Sequence, residues 1–263
     1  MNKGTKEGTE EEINFVITLN SDKKNILWGE LNIFDSKDIY AVHIINHKYG
    51  RINNRMIKPK ADVILCKGNI NNNYIMKNNY YLNENDIEKL NINPIMHSGI
   101  SVKRKDSLRY QILKMNPDTF KKIFGSYELG AGASIFCSRA DELNKNNEVL
   151  TGWKTNWNKF KRFFQIINEI ESLDNPDFSE KERLNIAKNV KTYSNISIKE
   201  KITKIERISD FVFKGVGNLD EPYTVTWFYE KGKIKEAGFI PFEITTGSGR
   251  SRGDFTIVVK PKN

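Results

Sequence analysis

Two segments of the sequence place an acidic and a basic residue where two strands could meet. In KPKADVIL, Asp62 stands at the start of a short apolar strand, and in GISVKRKDS, Ser101 and Lys103 lie on another strand with a positively charged end. Adjacent strands of this kind would bring a carboxylate and an ammonium group together at one edge of a sheet. That pairing suits metal-assisted hydrolysis of a phosphodiester, in which the carboxylate holds Mg²⁺ and the lysine orients or deprotonates a water.

On these residues the chain resembles the PD-(D/E)-x-K nucleases, and within them the type II restriction endonucleases. Asp62 matches the first acid of the motif and Lys103 matches its lysine, whereas Ser101 stands in place of the second acid. The sequence also departs from the motif in its spacing. Two residues separate Pro59 from Asp62, and the gap from Asp62 to Ser101 is long for the family.

The resemblance implies a Mg²⁺-dependent enzyme that cuts double-stranded DNA at a short specific sequence and leaves 5′-phosphate and 3′-hydroxyl ends. It implies that the backbone carbonyl of Val102 binds the metal beside Asp62, and that Lys103 activates or positions water. A homodimer is expected because palindromic sites are usually cut by two-fold dimers, and a cognate DNA methyltransferase is expected in the same system.

The carboxylate that Ser101 lacks could come from two places. Members of the family often carry a Glu on an N-terminal helix, and Glu12 in KEGTEEEINFV is the acidic residue best placed to face inwards. Asp118, fifteen residues beyond Lys103, is the alternative, although Pro-Asp at a helix start also suits a cap. Gln111 matches a Gln that related nucleases place on the following helix, near the lysine and the scissile phosphate; a solvent-facing residue is the other interpretation.

Three basic segments are candidates for contact with DNA, because Lys and Arg neutralise phosphates while Asn and Arg can read base edges. In HKYGRINNRMIKPK the candidates are Lys48, Arg51, Asn53, Asn54, Arg55 and Lys58. After the predicted catalytic lysine they are Arg104, Lys105 and Ser107, the last of which also suits a helix cap. In TTGSGRSRG they are Ser248, Arg250 and Arg252, in a segment that could equally be a mobile surface turn.

The periodicity of the chain predicts the elements that carry these residues. A helix is predicted at 5–20, and strands are predicted at 26–34, 38–45, 61–66 and 99–105. A hairpin is predicted in the Asn-rich segment that begins at Gly68, a short helix in NENDIEKL, helical structure from Asp106 to Met115, and another helix from Pro117. Residues 138–214 have mainly helical patterns, and strands return after Pro222.

These elements predict an α/β fold with a mixed central sheet flanked by helices, a helical insertion and a C-terminal β region. The resemblance implies that the arrangement is restriction-endonuclease-like. We expect one nuclease domain over residues 1–263. Its catalytic core would span about 1–135, its helical region about 138–214, and its C-terminal strands with a DNA-contact loop about 222–263.

Composition and charge limit the classes of function. The 263 residues carry a formal net charge of +9, which favours a polyanionic partner, although an AT-rich genome would also enrich lysine. A hydrophobic fraction of 38% and an aromatic fraction of 11% exclude a disordered tail protein. No apolar run approaches the roughly 20 residues of a membrane span. The N-terminus lacks the apolar stretch of a secretory signal, so a cytoplasmic location is expected.

The remaining reactive residues favour structural roles. Cys66 and Cys137 lie in apolar stretches, which predicts buried thiols, and His43 with His47 reads as a pair at a strand edge. Two other classes of function stay open at this point. One is a catalytically inert nucleic-acid-binding protein in which Asp62 and Lys103 form an ordinary ion pair, and the other is a repair or junction nuclease of the same superfamily.

Overall fold

The computed structural model of the chain describes residues 3–45, 59–103, 111–125, 129–130, 132, 150, 153–166, 177–217, 221–246 and 256–262. By their contacts the residues divide into two units, one made of 1–108 and 213–239 and the other of 109–212 and 240–263. The described helices are α1 (Lys3–Ser21), α2 (Ile26–Glu30), α3 (Asn72–Lys77), α4 (Glu84–Lys89), α5 (Pro117–Phe124), α6 (Trp157–Phe164), α7 (Glu180–Lys204) and α8 (Glu206–Lys214). The described strands are β1 (Ile39–His43), β2 (Val63–Lys67), β3 (Asn93–Pro94), β4 (Ile100–Lys103), β5 (Leu113–Met115), β6 (Trp227–Glu230), β7 (Lys233–Glu236), β8 (Phe242–Thr246) and β9 (Ile257–Pro261).

A six-stranded mixed sheet forms the centre of the first unit, in the order β1-β2-β4-β6-β7, with β3 paired to β2. The pairs β1/β2, β2/β4 and β6/β7 are antiparallel, whereas β4 and β6 run parallel. The parallel pair joins segments far apart in the chain, with Val102 opposite Tyr229. The expectation of a mixed sheet flanked by helices is therefore confirmed.

Both faces of this sheet are covered, which explains why its central strands are nearly continuous apolar runs. Alternate residues of β2 point to opposite sides: Val63 and Leu65 pack with residues of α1 and α2, while Ile64 and Cys66 pack in a second cluster. Cys66 has no accessible surface and is a free thiol, as its apolar surroundings predict.

The side chain of Asn20 links α1 to the edge strand β1 through hydrogen bonds. Its side-chain Nδ2 donates to the backbone oxygens of Ala41 at 2.9 Å and Tyr80 at 3.0 Å, and its Oδ1 accepts from Ala41 N at 2.8 Å. Asn20 is 3% exposed, so these bonds satisfy backbone groups that water does not reach. The contact fixes the position of α1, and with it Glu12, relative to the sheet.

Gly99 allows the close approach of β4 to the chain that enters β6. Thr226 N and Trp227 N both donate to Gly99 O, at 2.8 and 3.0 Å. A Cβ at this position would lie 1.8 Å from the backbone oxygen of Thr224, a distance that no side chain tolerates. Only glycine fits there, immediately before the strand that carries Ser101 and Lys103.

The second unit contains an antiparallel sheet in the order β5-β9-β8, and helix α7 packs against β8. The buried face of α7 is made by residues three or four positions apart: Ile186, Val190, Ser194, Ile198 and Ile202. A cluster of aromatic rings centred on Phe160 of α6 packs against Tyr193 of α7. These patterns agree with the helical content predicted for this part of the chain.

Three local predictions are wrong, each because a capping or pairing partner outweighs the local pattern. Residues 26–34 do not form a strand: Asn25 accepts from Leu27 N and begins the short helix α2. The Asn-rich segment is not a hairpin, since Asn71 accepts from Asn73 N and begins α3. Residues 113–115 are not helical but form β5, which pairs with β9 near the end of the chain.

Other predictions hold. The N-terminal helix spans Lys3–Ser21, and the short helix predicted in NENDIEKL is α4, in which Asn83 is the cap and forms a capping box with Asp86. No helix in the described parts of the chain is long and apolar enough to cross a lipid bilayer.

Candidate active site

The junction of β2 and β4 brings the two predicted segments together. Asp62 immediately precedes β2, and its backbone N–H donates to Ile100 O of β4 at 2.9 Å. Its backbone oxygen accepts from Ile44 N at 2.9 Å, on the side of β1. Asp62 is thereby held between two strands, and its side chain lies beside the residues that follow Ile100.

A line of hydrogen bonds joins Lys103, Ser101 and Asp62. The Ser101 hydroxyl donates to Asp62 Oδ2 at 2.9 Å and accepts from Lys103 Nζ, and the Val102 N–H donates to the same Oδ2 at 2.8 Å. The Lys103 ammonium also lies 5.5 Å from the centre of the Phe228 ring on β6. The sheet thus places the acidic and basic groups of the predicted motif side by side, with serine between them.

Burial and charge perturb these groups in opposite directions. Burial raises the pKa of Asp62 above its ordinary value; Lys103 and the bonds from Ser101 and Val102 act against this rise, while Glu12 adds to it. Burial lowers the pKa of Lys103, against the attraction of Asp62, Glu12 and Glu230. Clusters of perturbed acids and bases are typical of sites that bind charged ligands or catalyse proton transfer.

Lys60 adds a second basic group to this cluster. Burial and then the charge of Lys103 lower the pKa of Lys60 to about 7. An anion would relieve the repulsion between the two lysines, just as a cation would relieve that between Asp62 and Glu12. The cluster therefore holds two acidic and two basic side chains whose charges act on one another.

Glu12 reaches the site from α1 and is held by a histidine of β1. Its Oε2 lies 2.9 Å from Nε2 of His43, and its side chain is 23% exposed. The charge of Glu12 acts on both Asp62 and Lys103. The sequence expectation that Glu12 faces inwards agrees with this position.

The available donors fit Mg²⁺ better than a metal that needs a closed protein cage. Among the described residues, no group of three or more His, Cys, Asp and Glu side chains could hold a metal ion. Asp62 Oδ1 and Glu12 Oε1 accept no hydrogen bond from the residues that the structure describes. Each carboxylate therefore has one oxygen that could bind a metal ion. Mg²⁺ is usually bound by one or two carboxylates and retains several waters, so two such oxygens suit it.

A small cleft opens beside Lys103, between α1 and the turn from β6 to β7. Its volume is about 150 Å³. Polar residues of α1 and of the turn line it together with Lys103, namely Glu11, Asn14, Thr18 and Lys231. Phe15 and Tyr229 also line it, and the centres of their rings lie 4.3 Å apart. The lysine therefore borders a space that a small polar or charged group could enter.

Two further predicted residues belong to the second unit. Gln111 is exposed and lies outside any helix, just before β5, so the expectation that it sits on a helix after Lys103 is wrong. Asp118 lies in the first turn of α5, but the cap of that helix is Asn116, whose side chain accepts from Thr119 N. The interpretation of Asp118 as the cap is therefore corrected.

The predicted DNA-contact residues all lie outside the described residues. They are Lys48, Arg51, Asn53, Asn54, Arg55, Lys58, Arg104, Lys105, Ser107, Ser248, Arg250 and Arg252. Contact between these segments and DNA stays a prediction from the sequence.

Sequence reasoning missed the part that His43 and Tyr81 play near the site. His43 was interpreted as a strand-edge residue, yet it is 4% exposed, and its Nδ1 lies 2.8 Å from the Tyr81 hydroxyl. The available signal is its place at the end of the apolar run IYAVH, where a polar residue occupies a strand position between the buried residues Val42 and Ile44. A buried histidine needs polar partners, and Glu12 and Tyr81 are those partners.

Comparison of the chain with protein-family models, with curated proteins and with solved structures finds no match.

Proposed function

We propose that the chain is a Mg²⁺-dependent endonuclease of the restriction type, which hydrolyses double-stranded DNA at a short specific sequence and leaves 5′-phosphate ends. The observation that carries the proposal is the hydrogen-bonded line from Lys103 through Ser101 to Asp62, with Glu12 close enough to act on both charges. Two carboxylates with unused oxygens and a lysine are the groups that metal-assisted phosphodiester hydrolysis requires.

The architecture of the first unit supports a restriction-endonuclease-like assignment. Its sheet is mixed and flanked by helices, as the resemblance to the PD-(D/E)-x-K nucleases implies. Of the two matching residues, Asp62 immediately precedes β2 and Lys103 ends the adjacent strand β4. A chance match of a short motif has no reason to bring its members into one hydrogen-bonded group.

Each side chain has a separate task in the proposed reaction. Asp62 and Glu12 would hold Mg²⁺ through their free oxygens, with the Val102 carbonyl as a further candidate donor. Bound there, Mg²⁺ supplies positive charge to the phosphate and a water of lowered pKa. Lys103 orients the attacking water, and Ser101 fixes the Lys103 ammonium relative to Asp62.

The partner and location follow from charge and from the resemblance. A net charge of +9 favours binding to DNA, because each neutralised phosphate releases counterions. The proposal includes a homodimer on a palindromic site, a cytoplasmic location and a cognate methyltransferase that protects the host site. These follow from the proposed activity and are tested with it.

Cleavage of unmethylated DNA tests the proposal most directly. Purified protein is incubated with a mixture of plasmid and bacteriophage DNAs in Mg²⁺ and, separately, in EDTA. We expect discrete fragments only in Mg²⁺, with ends that ligate because they carry 5′-phosphates. Lys103→Ala should abolish cleavage but leave DNA binding nearly intact. The matched control is Lys67→Ala, which removes an exposed lysine from the neighbouring strand and should cut normally.

The result also separates the other classes of function. DNA binding without cleavage would replace the proposal with an inert nucleic-acid-binding protein, and cleavage confined to branched or flapped DNA would favour a repair or junction nuclease. If Lys103→Ala cut DNA at the wild-type rate, Lys103 would have no role in catalysis.

A further inference from the structure

His43 and Tyr81 form a hydrogen-bonded chain that ends on Glu12. The Tyr81 hydroxyl lies 2.8 Å from His43 Nδ1, and His43 Nε2 lies 2.9 Å from Glu12 Oε2. All three residues belong to the first unit but come from separate segments: α1, β1 and the connection before α4. The contact gives the buried His43 a polar partner, and that partner is a carboxylate of the candidate site.

The chemistry of the partners fixes the direction of the chain. An ionised carboxylate only accepts hydrogen bonds, so His43 Nε2 must carry a hydrogen and donate it to Glu12. In the neutral imidazole the other nitrogen, Nδ1, then accepts from the Tyr81 hydroxyl. The carboxylate therefore selects the tautomer, and the Tyr81 hydroxyl, which can donate or accept, donates to the remaining ring nitrogen.

The backbone holds both members of the pair in place. His43 N donates to Leu82 O at 2.9 Å, and the backbones of His43 and Asn83 pair in a single parallel β-bridge. Leu82 has no accessible surface. The segment that carries Tyr81 thus runs beside the end of β1, and the Tyr81 ring meets the His43 ring edge to face at 5.9 Å.

We infer that His43, oriented by Tyr81, is a positioning residue that fixes the Glu12 carboxylate so that its free Oε1 points to a divalent cation shared with Asp62. The inference rests on the proposed function, since it assigns the role of Glu12 in the same site. It goes beyond the proposal because it names the residues that orient this second carboxylate. Carboxylates that bind metals are themselves hydrogen-bonded in this way, and loss of such a partner weakens metal binding.

Direct metal binding and catalysis are both measured in the full-length protein. The probe is Mn²⁺, a paramagnetic substitute for Mg²⁺ whose free concentration is read by electron paramagnetic resonance. His43→Ala should weaken Mn²⁺ binding by roughly 10-fold to 100-fold and lower kcat for DNA cleavage similarly, with KM for DNA unchanged. Tyr81→Phe removes only the distal hydroxyl and should weaken Mn²⁺ binding by about threefold.

A double-mutant cycle distinguishes positioning from a general structural role. If His43 acts through Glu12, His43→Ala should change Mn²⁺ binding by less than about twofold once Glu12→Gln is already present. His43→Gln keeps a donor near the position of Nε2 and should recover part of the affinity lost in His43→Ala. Should His43→Ala fail to fold, Tyr81→Phe and His43→Gln carry the same test.

The protein offers a matched control in a second histidine–glutamate pair. His97 Nδ1 lies 3.0 Å from Glu221 Oε1, and the His97 side chain is 75% exposed. His97→Ala should leave both Mn²⁺ affinity and kcat unchanged. Wild-type Mn²⁺ affinity in His43→Ala and Tyr81→Phe would overturn the inference and leave the nuclease proposal standing. A wild-type protein that neither binds Mn²⁺ nor cuts DNA would overturn both.

Discussion

Ser101 donates its hydroxyl hydrogen to Oδ2 of Asp62 over 2.9 Å, although the two residues lie 39 positions apart in the chain. The same hydroxyl accepts from Lys103 Nζ, so serine links the acid and the base where the resembling family has a second acid. A hydroxyl can hold the Lys103 ammonium in place relative to the Asp62 carboxylate without adding a negative charge beside Asp62 and Glu12. The replacement is therefore compatible with a working site that has one carboxylate fewer on β4.

Ser101→Ala should impair catalysis more than it impairs folding. It removes one donor from Asp62 and one acceptor from Lys103, and the loss of buried hydrogen bonds should cost about 1–3 kcal/mol of unfolding free energy. We expect kcat for DNA cleavage to fall by about 10-fold to 100-fold, because Lys103 is no longer fixed relative to Asp62. Urea unfolding and steady-state cleavage measure the two effects.

Ser98→Ala is the matched control for this variant. Ser98 is also 3% exposed, and its hydroxyl donates to Ile95 O at 2.6 Å and accepts from Leu65 N at 3.1 Å. It should lose comparable stability and keep the wild-type kcat. Equal kcat in the two variants would show that the Ser101 hydroxyl only stabilises the fold.

The sequence predicts the local parts of this structure well where the burial of an element leaves a regular pattern of apolar residues. The run ADVILC has the signature of a strand covered on both faces, and Glu12 lies on a helix whose apolar residues face the sheet. The proximity of Asp62 and Lys103 was also predicted, because polar residues at the ends of adjacent strands share an edge. The strand and helix assignments depend on short-range periodicity, which the sequence displays directly.

Long-range pairing was not predictable in the same way. No residue of β4 indicates that β6, more than a hundred positions later, lies parallel to it. Likewise, nothing in residues 113–115 indicates that they form a strand by pairing with β9. The capping side chains of Asn25 and Asn71 likewise outweigh local patterns that suggested strands. The Tyr81–His43–Glu12 contact required three distant segments to be placed together, so a histidine with no obvious partner was interpreted as structural.

Lys23 should make stability depend on pH in the alkaline range. Its ammonium donates to Ile39 O and lies 3.8 Å from the centre of the Tyr40 ring, and burial lowers the pKa of Lys23 to about 8 from an ordinary value of 10.5. Between these values the unfolded chain binds a proton that the folded protein lacks, so stability rises with pH. Between pH 8 and pH 10.5, the free energy of unfolding of the wild type should rise by about 1–2 kcal/mol relative to that of Lys23→Met, after allowance for solvent screening.

Urea unfolding at several pH values checks this prediction, and the comparison with Lys23→Met removes the contribution of other titrating groups. Lys24→Met, at the exposed neighbouring position, is the matched control and should follow the wild-type curve. Parallel curves for the wild type and Lys23→Met across this range would contradict the prediction.

Asp62→Asn should separate stability from function. The amide oxygen can still accept from Ser101 and Val102, but the variant lacks the charge whose burial raises the pKa of Asp62. Without metal, the melting temperature of the variant should change little, because the loss of a desolvated charge beside Glu12 is opposed by the loss of the attraction between Asp62 and Lys103. Its cleavage activity should fall by about a thousandfold or more, because a neutral amide binds Mg²⁺ weakly.

Thermal melts with and without Mg²⁺ make this prediction specific to the site. A ligand that binds only the folded state raises the melting temperature, so millimolar Mg²⁺ should stabilise the wild type but not Asp62→Asn. Asp35→Asn, an equally small change at an exposed carboxylate, should retain both the Mg²⁺ response and the activity. If Asp62→Asn were stabilised by Mg²⁺ as strongly as the wild type, the metal would be bound elsewhere and Asp62 would have no part in holding it.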